Sequence, residues 1–310
     1  MNSLKTVLFA LIVMLCGGRT LFAQETSRAT ADSLRFEGEL EAAIHAYRDV
    51  VRQHPDDGAA LYALAGTYAL QPHRLDSAFH YLTRALAYDS TMRPLWEADL
   101  FFMQDDARWA AVEGMQLDKL ARQVGADFNR AYAGALLRIR MKEHAYRYHL
   151  MLSMRKLGQQ SPVVTALAKT MQDHHEENMI RLEQLIEDYG WPALSQVGEA
   201  AAYTAGNVIN HADLETRKHY LPMLKAVCEK GEGDWSRYAH ILDRVELEQG
   251  NKQVYGTQME FNEQTRRFEP QPIIDPDNVH QRRAEIGLEP LEEQLRRFNK
   301  TVLRDFGISK

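Results

Sequence analysis

Two stretches near the start of the chain, residues 24–57 and 58–91, lie over each other at a spacing of 35. This internal repetition constrains the fold more than any single motif does. At that spacing Ala43 falls on Ala78 and Tyr47 on Leu82, and the segment from His54 to Asp57 meets that from Tyr88 to Thr91. The small residues let two helices approach closely, and the larger ones fill the space between neighbouring units. The second copy carries an extra residue near 70–76 and has Ser90 where the first has Pro55. Two such units leave an apolar end that a third element has to cover. Residues 92–127 supply it, with Leu95, Trp96, Leu100, Phe101 and Met103 before a break at 104–106, then Trp109, Val112 and Leu117. They read as an atypical third helical pair that caps and joins.

Leu34, Gly38, Ala43, Tyr47 and Pro55 in the first copy, and Leu61, Leu64, Ala65, Tyr68, Ala78, Leu82 and Ala85 in the second, resemble the tetratricopeptide repeat, a helix-turn-helix unit of about 34 residues. The resemblance implies a region that contacts protein. Two forms of contact stay open: a groove that holds a peptide partner, with Tyr62 as a lining residue, and a brace on which the C-terminal domain docks.

The first residues read as an address. Lys5, an apolar run over 7–16 and the small Ala23 make a secretory signal with its cut after Ala23, and the run is too short to span a bilayer. Leu15, directly before Cys16, is too bulky for lipidation, so no lipid anchor is expected. The product is expected to be periplasmic or secreted. The formal charge of −6 becomes −8 when Lys5 and Arg19 leave and no acid does, which argues against nucleic-acid binding. Cys228 is then the only cysteine, so no internal disulfide can form. Beside Leu224 on an apolar helix side, it is expected to be buried and inert. No later stretch is apolar for long enough to span a membrane, so no stable span is expected after signal removal.

From about residue 128 the repeat period is lost, and 128–310 read as a separate helical domain. Residues 177–189 place Met179, Leu182, Leu185 and Ile186 on one side of a helix stopped by Gly190 and Pro192. Asp213 reads as the N-cap of a helix ending at Gly231, and a further helix runs from Ser236 to about Gln249. After Gly250 the alternation of Tyr255, Thr257, Met259 and Phe261 fits a strand that returns through 266–270, a small β-hairpin over about 253–269. Gly256 inside it suggests a bulge or a close approach by another backbone or a ligand. Two helices close the chain, the first capped at Asp275 or Asp277 and stopped at Gly287, the second opened by Pro290. The expected fold class is mainly α: a short helical-repeat region and a helical C-terminal domain carrying one hairpin.

Within that domain stand Tyr189-Gly190-Trp191-Pro192, Val197-Gly198, His211-Ala212-Asp213 and Tyr220-Leu221-Pro222. Leu242-Asp243-Arg244, Gln253-x-Tyr255-Gly256-Thr257-Gln258, Asp275-Pro276, Arg282-Arg283 and Gly287-Leu288 follow. In this order the motifs resemble a bacterial domain family of unknown function, often exported and sometimes fused to helical repeats, over about 128–297. The chain departs from that pattern in three places. Glu143 and Arg147 stand where the family often has Asp-Gln-x-x-Arg, Asn210 where a Gln often precedes His-Ala-Asp, and His175 where an Asp often stands before Asn178. The resemblance implies a set of polar residues and no activity.

The residues themselves allow more than one role. His211 is the candidate proton carrier, oriented by Asp243 or Glu143, or else a tie between helix ends. Asp243 and Arg244 are successive helix residues whose side chains diverge, so one is expected to face inward with a partner. Arg244 either grips an anionic ligand or bridges to Glu143 or Asp275. Gln253, Gln258 and Tyr255 suit a carbohydrate or peptide, or pair with nearby helix ends. Arg147, Trp191 and Asp213 complete the candidate ligand-binding set. His174, His175, Glu176 and Glu177 lack a second cluster at ligand spacing, so no metal is expected. Arg282, Arg283, Arg296 and Arg297 are interspersed with acids and read as a solvated face. There is no phosphate loop, nucleophile elbow or dinucleotide fingerprint, and no cofactor is expected. Three functions remain: an exported protein that makes protein contacts and carries a polar ligand site, a hydrolase of envelope material working through His211 and Asp243, and a scaffold held by an internal polar network.

Overall fold

The computed structural model describes residues 28–89 and 91–305. The proposed signal, with Cys16 and the cut after Ala23, and the repeat position Ser90 lie outside the described residues. The chain divides into two compact units, 1–112 and 113–310, and it is mainly α-helical with one small antiparallel hairpin.

The first unit contains helices α1 (28–37), α2 (Leu40–Gln53), α3 (Gly58–Ala69) and α4 (Leu75–Leu86). Asp57 starts α3 by accepting from the Ala60 amide at 2.9 Å, which satisfies one of the free donors of a helix start. α3 packs against both α2 and α4 and buries nearly all of its residues. Ala43 and Ala78, the small residues that the self-overlay aligns, are both fully buried, as are Tyr47 and Leu82. Tyr62 does not line a groove. It is buried, its hydroxyl donates to Asp89 at 2.5 Å, and Arg93 lies 4.7 Å over its ring. Of the expected third helical pair, the first member is replaced by two 3₁₀ turns, Arg93–Leu95 and Ala98–Met103, while the second, with Trp109, Val112 and Leu117, is an α-helix over Trp109–Val124. Pro94 withholds an amide at the first 3₁₀ turn, and Asp99 points inward from the other to pair with Arg35.

In the second unit α6 (Arg130–Leu157) and α7 (Pro162–Tyr189) pack together as a hairpin, each about 42 Å long at 1.5 Å per residue. Asn129 caps α6 at the Tyr132 amide and Ser161 caps α7 at the Val163 amide. α9 (Glu199–Ile209) packs on α6 and α7, following the short α8 (Leu194–Val197). α10 (Leu214–Glu229) then packs on α11 (Trp235–Glu248). α5 (Trp109–Val124) contains the division between the units. Asp213 caps α10 through the Thr216 amide at 2.8 Å.

The hairpin is shorter than the alternation suggested: β1 is Met259–Asn262 and β2 is Arg267–Pro270. Residues 254–258 are a loop because the amides that a strand would spend on a ladder point at one carboxylate. Asn262 makes the turn, accepting from the Gln264 and Thr265 amides. α12 (Val279–Glu285) and α13 (Leu291–Asp305) close the chain. Asp275 does not cap α12: it is left-handed at φ 45°, and the 3₁₀ turn Pro276–Asn278 intervenes. Asn299 on α13 fixes β2 by bonding both the amide and the carbonyl of Phe268.

Candidate functional site

The polar candidates separate into two groups. The first is built around Asp243 on α11, which is fully buried. Its Oδ1 accepts from the amides of Val254 at 2.6 Å and Tyr255 at 2.9 Å, and its Oδ2 from the Thr257 amide and hydroxyl, both at 2.8 Å. Burial pushes the carboxyl pKa above its ordinary value, and these donors hold the rise in check. The same loop is gripped from its carbonyl side. Arg282 Nε donates to Val254 O at 3.1 Å and Arg283 Nη1 to Tyr255 O at 2.6 Å. Arg283 is wholly buried, which corrects the solvated-face reading for this residue. Gln253 closes the loop: its Nε2 donates to the carbonyls of Gln258 and Gln271, and its Oε1 accepts from the Gln258 amide at 2.9 Å. The Gln258 side chain reaches His240 O at 3.1 Å.

The second group gathers where α6, α7, the α9–α10 turn and α11 meet. Glu143 on α6 accepts at Oε1 from Asn178 Nδ2 at 3.0 Å and lies 3.1 Å from His175 Nδ1. Arg147, one turn along, donates to its Oε2 at 3.4 Å. Burial alone would raise the Glu143 pKa; the hydrogen bonds of His175 and Asn178 and the charge of Arg147 outweigh it, and the value falls below the ordinary one. An ionised Glu143 can only accept, so the contact assigns a proton to His175 Nδ1. The Nε2 of His175 is buried without a hydrogen-bond partner among the described residues.

Arg244 on α11 donates to the carbonyl of Asn210 at 2.8 Å and to Glu248 at 3.2 Å, not to Glu143 or Asp275. Glu248 also holds Arg217 of α10, which is 2% exposed and keeps Nε and Nη1 buried without partners among the described residues. His211 lies between these two networks. Its imidazole is reachable by solvent and makes no hydrogen bond to another described residue. Protein packed on its other sides, then the positive charges of Arg147 and Arg244, bring its pKa down to about 4, while Glu143 pulls weakly the other way. At neutral pH it is uncharged, within the field of two partly exposed guanidinium groups, Arg147 with 40% and Arg244 with 36% of the side chain exposed.

Residues 141–304, more than half of the chain, match a family described as one of unknown function, DUF6624. The chain belongs to this family. No curated protein and no solved structure matches it. Both polar groups lie inside the family domain.

Within the family domain the structure brings Glu143, Arg147, His211 and Arg244 together, with Asp213 next to them as a helix cap. It places Asp243, Gln253, Tyr255 and Gln258 elsewhere. The expectation that Asp243 orients His211 is therefore corrected: both its oxygens are taken up by the hairpin loop. Trp191 is not a ligand platform either. It is buried beside Tyr220, with ring centroids 6.4 Å apart. Sequence reasoning did not select His175, Asn178, Arg217 and Glu248 for the site. His175 and Asn178 are three apart on one face of α7, a signal that was present, whereas Arg217 and Glu248 meet only through the packing of α10 on α11. An open groove of about 620 Å³ between α7 and α10 is lined by Ile180, Glu183, Glu187, His219, Tyr220 and Met223, and contains none of the candidates. Among the described residues no group of three or more His, Cys, Asp or Glu is arranged to hold a metal ion, and no helix is long and apolar enough to cross a membrane.

Proposed function

We propose that the protein is an exported binding protein in which the N-terminal unit makes protein contacts and the family domain holds a small anionic ligand at the surface of Arg147, His211 and Arg244. One observation carries the ligand reading. The charges of two partly exposed guanidinium groups act on an uncharged imidazole that bonds to no described residue, and Glu143 and Glu248 hold those two groups within networks that include His175, Asn178 and Arg217. Guanidinium forks pair with carboxylate or phosphate oxygens, and the imidazole adds one donor and one acceptor for a neighbouring hydroxyl, as in a sugar acid. Export rests on Lys5 and the apolar run before Ala23.

Titration calorimetry with inorganic phosphate, acetate and glucuronate, and with glucose as the neutral control, tests the ligand. Saturable binding of at least one anion, weakened about tenfold in Arg147→Ala, is expected, since one such contact is worth roughly 1.4 kcal/mol. Arg147 makes a single long contact to Glu143, so its removal leaves the fold intact. Equal or absent binding of all four compounds would overturn the reading.

Hydrolysis is the second reading, favoured by the Glu143–His175 pair and its unpartnered Nε2. Soluble fragments released from isolated envelope by the protein, and lost in His175→Asn and His211→Asn, would establish it. For Asp243, Gln253 and Gln258 the scaffold reading fits best, because both Asp243 oxygens, both polar atoms of the Gln253 side chain and the Gln258 Nε2 have partners within the loop or its neighbours.

A further inference from the structure

In the N-terminal unit nearly every arginine has a carboxylate. Arg28 pairs with Asp57, Arg35 with Asp99, Arg52 with Asp49, Arg74 with Glu41, Arg93 with Glu97, and Arg108 with Asp76 and Asp106. Among the described residues of this unit only Arg48 and Arg84 lack an acidic partner, and both line the same concavity. It is about 310 Å³ in volume, between α2 and α4, and Val51, Arg52, Pro55 and Tyr81 complete its walls. Val51 is buried at its floor. The Tyr81 ring stacks on Tyr68 at 5.6 Å, and Arg84 lies 5.5 Å over it while donating to Pro55 O at 3.4 Å. Arg48 and Arg52 are one helical turn apart on α2 and project alongside each other.

We infer that this concavity is a docking site for an acidic peptide segment of a partner protein, whose carboxylates pair with Arg48 and Arg84 while an apolar or aromatic side chain rests on Val51 and Tyr81. The inference rests on the reading of this unit as one that makes protein contacts, and supplies the chemistry of the partner. Charge complementarity selects the occupant. In a chain of net charge −6, three arginines with one carboxylate between them attract an anion. They are too few, and the floor too apolar, for the long run of phosphates that nucleic-acid binding neutralises. Tyr81 and Arg84 are held in place before a ligand arrives, which lowers the ordering cost of binding.

Fluorescence anisotropy of a short labelled peptide carrying glutamates around one phenylalanine, titrated with the full chain, tests the site. The control peptide has glutamine at each glutamate, and a single-stranded oligonucleotide is the competing polyanion. Arg48→Glu is the informative variant, because Arg48 makes no hydrogen bond or ion pair to a described residue and its replacement leaves packing alone. The expected result is binding of the acidic peptide, about tenfold weaker for the glutamine peptide and about tenfold weaker in Arg48→Glu, on the scale of one charged contact. Equal binding of the two peptides, untouched by Arg48→Glu, would overturn the site but leave the unit as a peptide binder. Absence of binding by either peptide would overturn both. Tighter binding of the oligonucleotide than of the acidic peptide would show that the concavity takes a different polyanion, and would also overturn the inference.

Discussion

Replacing Asp243 by Asn removes one charge and one acceptor from the centre of the 254–258 loop while keeping the side-chain shape. The amide group has two ways to sit. With its nitrogen at the Oδ1 position it would face the Val254 and Tyr255 amides, donor against donor, and both hydrogen bonds would be lost. With its nitrogen at the Oδ2 position it faces the Thr257 amide and hydroxyl. The hydroxyl can rotate to accept, so only one amide is orphaned, and this is the orientation to expect. An orphaned buried amide costs about 1–3 kcal/mol, and the bonds that survive fall from charge-assisted to neutral strength, roughly 1 kcal/mol each. Relief from burying a carboxylate offsets part of this, since burial already strains that charge. The net expectation is a loss of about 2–4 kcal/mol, a large share of the 5–15 kcal/mol that holds a typical domain folded. Urea unfolding of the two proteins gives the difference, and amide hydrogen exchange at residues 254, 255 and 257 shows whether the loop is where it is lost. A loss below about 1 kcal/mol with unchanged exchange at those amides would refute the clasp. Unchanged stability with abolished anion binding would return Asp243 to the binding surface.

Three further outcomes follow from burial and charge. His211 and His240 both have pKa values brought down to about 4, by burial first and then by cations: Arg147 and Arg244 for the one, Arg237 and Arg283 for the other. Below about pH 6.5 the unfolded chain takes up two protons that the folded chain refuses until about pH 4. Stability therefore falls as pH drops through that window and is flat above it, and replacing both histidines with Gln should flatten it in urea titrations from pH 7 to 4. Gly256→Ala is expected to cost about 1–3 kcal/mol. The residue is left-handed at φ 72°, and a Cβ there would meet Ile273 Cδ1 at 2.9 Å and Leu291 Cδ1 at 3.1 Å; melting temperature reports it. Cys228 is 2% exposed with its thiol pKa pushed up to about 12, by burial first. In the chain lacking residues 1–23 a thiol reagent at pH 8 should label it only after denaturant is added.

The helical fold and the placement of most helices were legible because amphipathic spacing and caps are local signals. Asp213 and the glycine stops at 190 and 250 needed no knowledge of the tertiary structure, and the hairpin was legible as a period-two pattern at Met259 and Phe261. The loop before it was not. Val254, Tyr255 and Thr257 alternate as a strand would, but their amides answer to a carboxylate ten or more residues earlier, and local pattern carries no information about that partner. The same limit explains Arg283. Beside Glu285 it reads as a surface charge, yet it is buried because Tyr255, Glu289 and Gln294 converge on it. Tyr62 was misplaced for the converse reason: a polar aromatic in a repeat position suits a groove until Asp89 and Arg93, thirty residues on, cover it.

The two polar groups are separate in chemistry but joined mechanically through α11. Successive residues of a helix point about 100° apart, so Asp243 turns into the hairpin loop while Arg244 turns toward Asn210 and the proposed ligand surface. Rotating α11 about its axis would tear Asp243 from the four donors that hold it, and the loop is in turn fixed by Arg282 and Arg283. The rotation that positions Arg244 beside His211 is therefore set by contacts that no ligand touches. On this reading the hairpin loop acts as a positioning element for the cationic surface, and its residues belong with the surface in function though not in contact. Loss of Thr257 or Gln253 would weaken anion binding only as far as it loosens α11, with Arg244 displaced and Arg147 left in place.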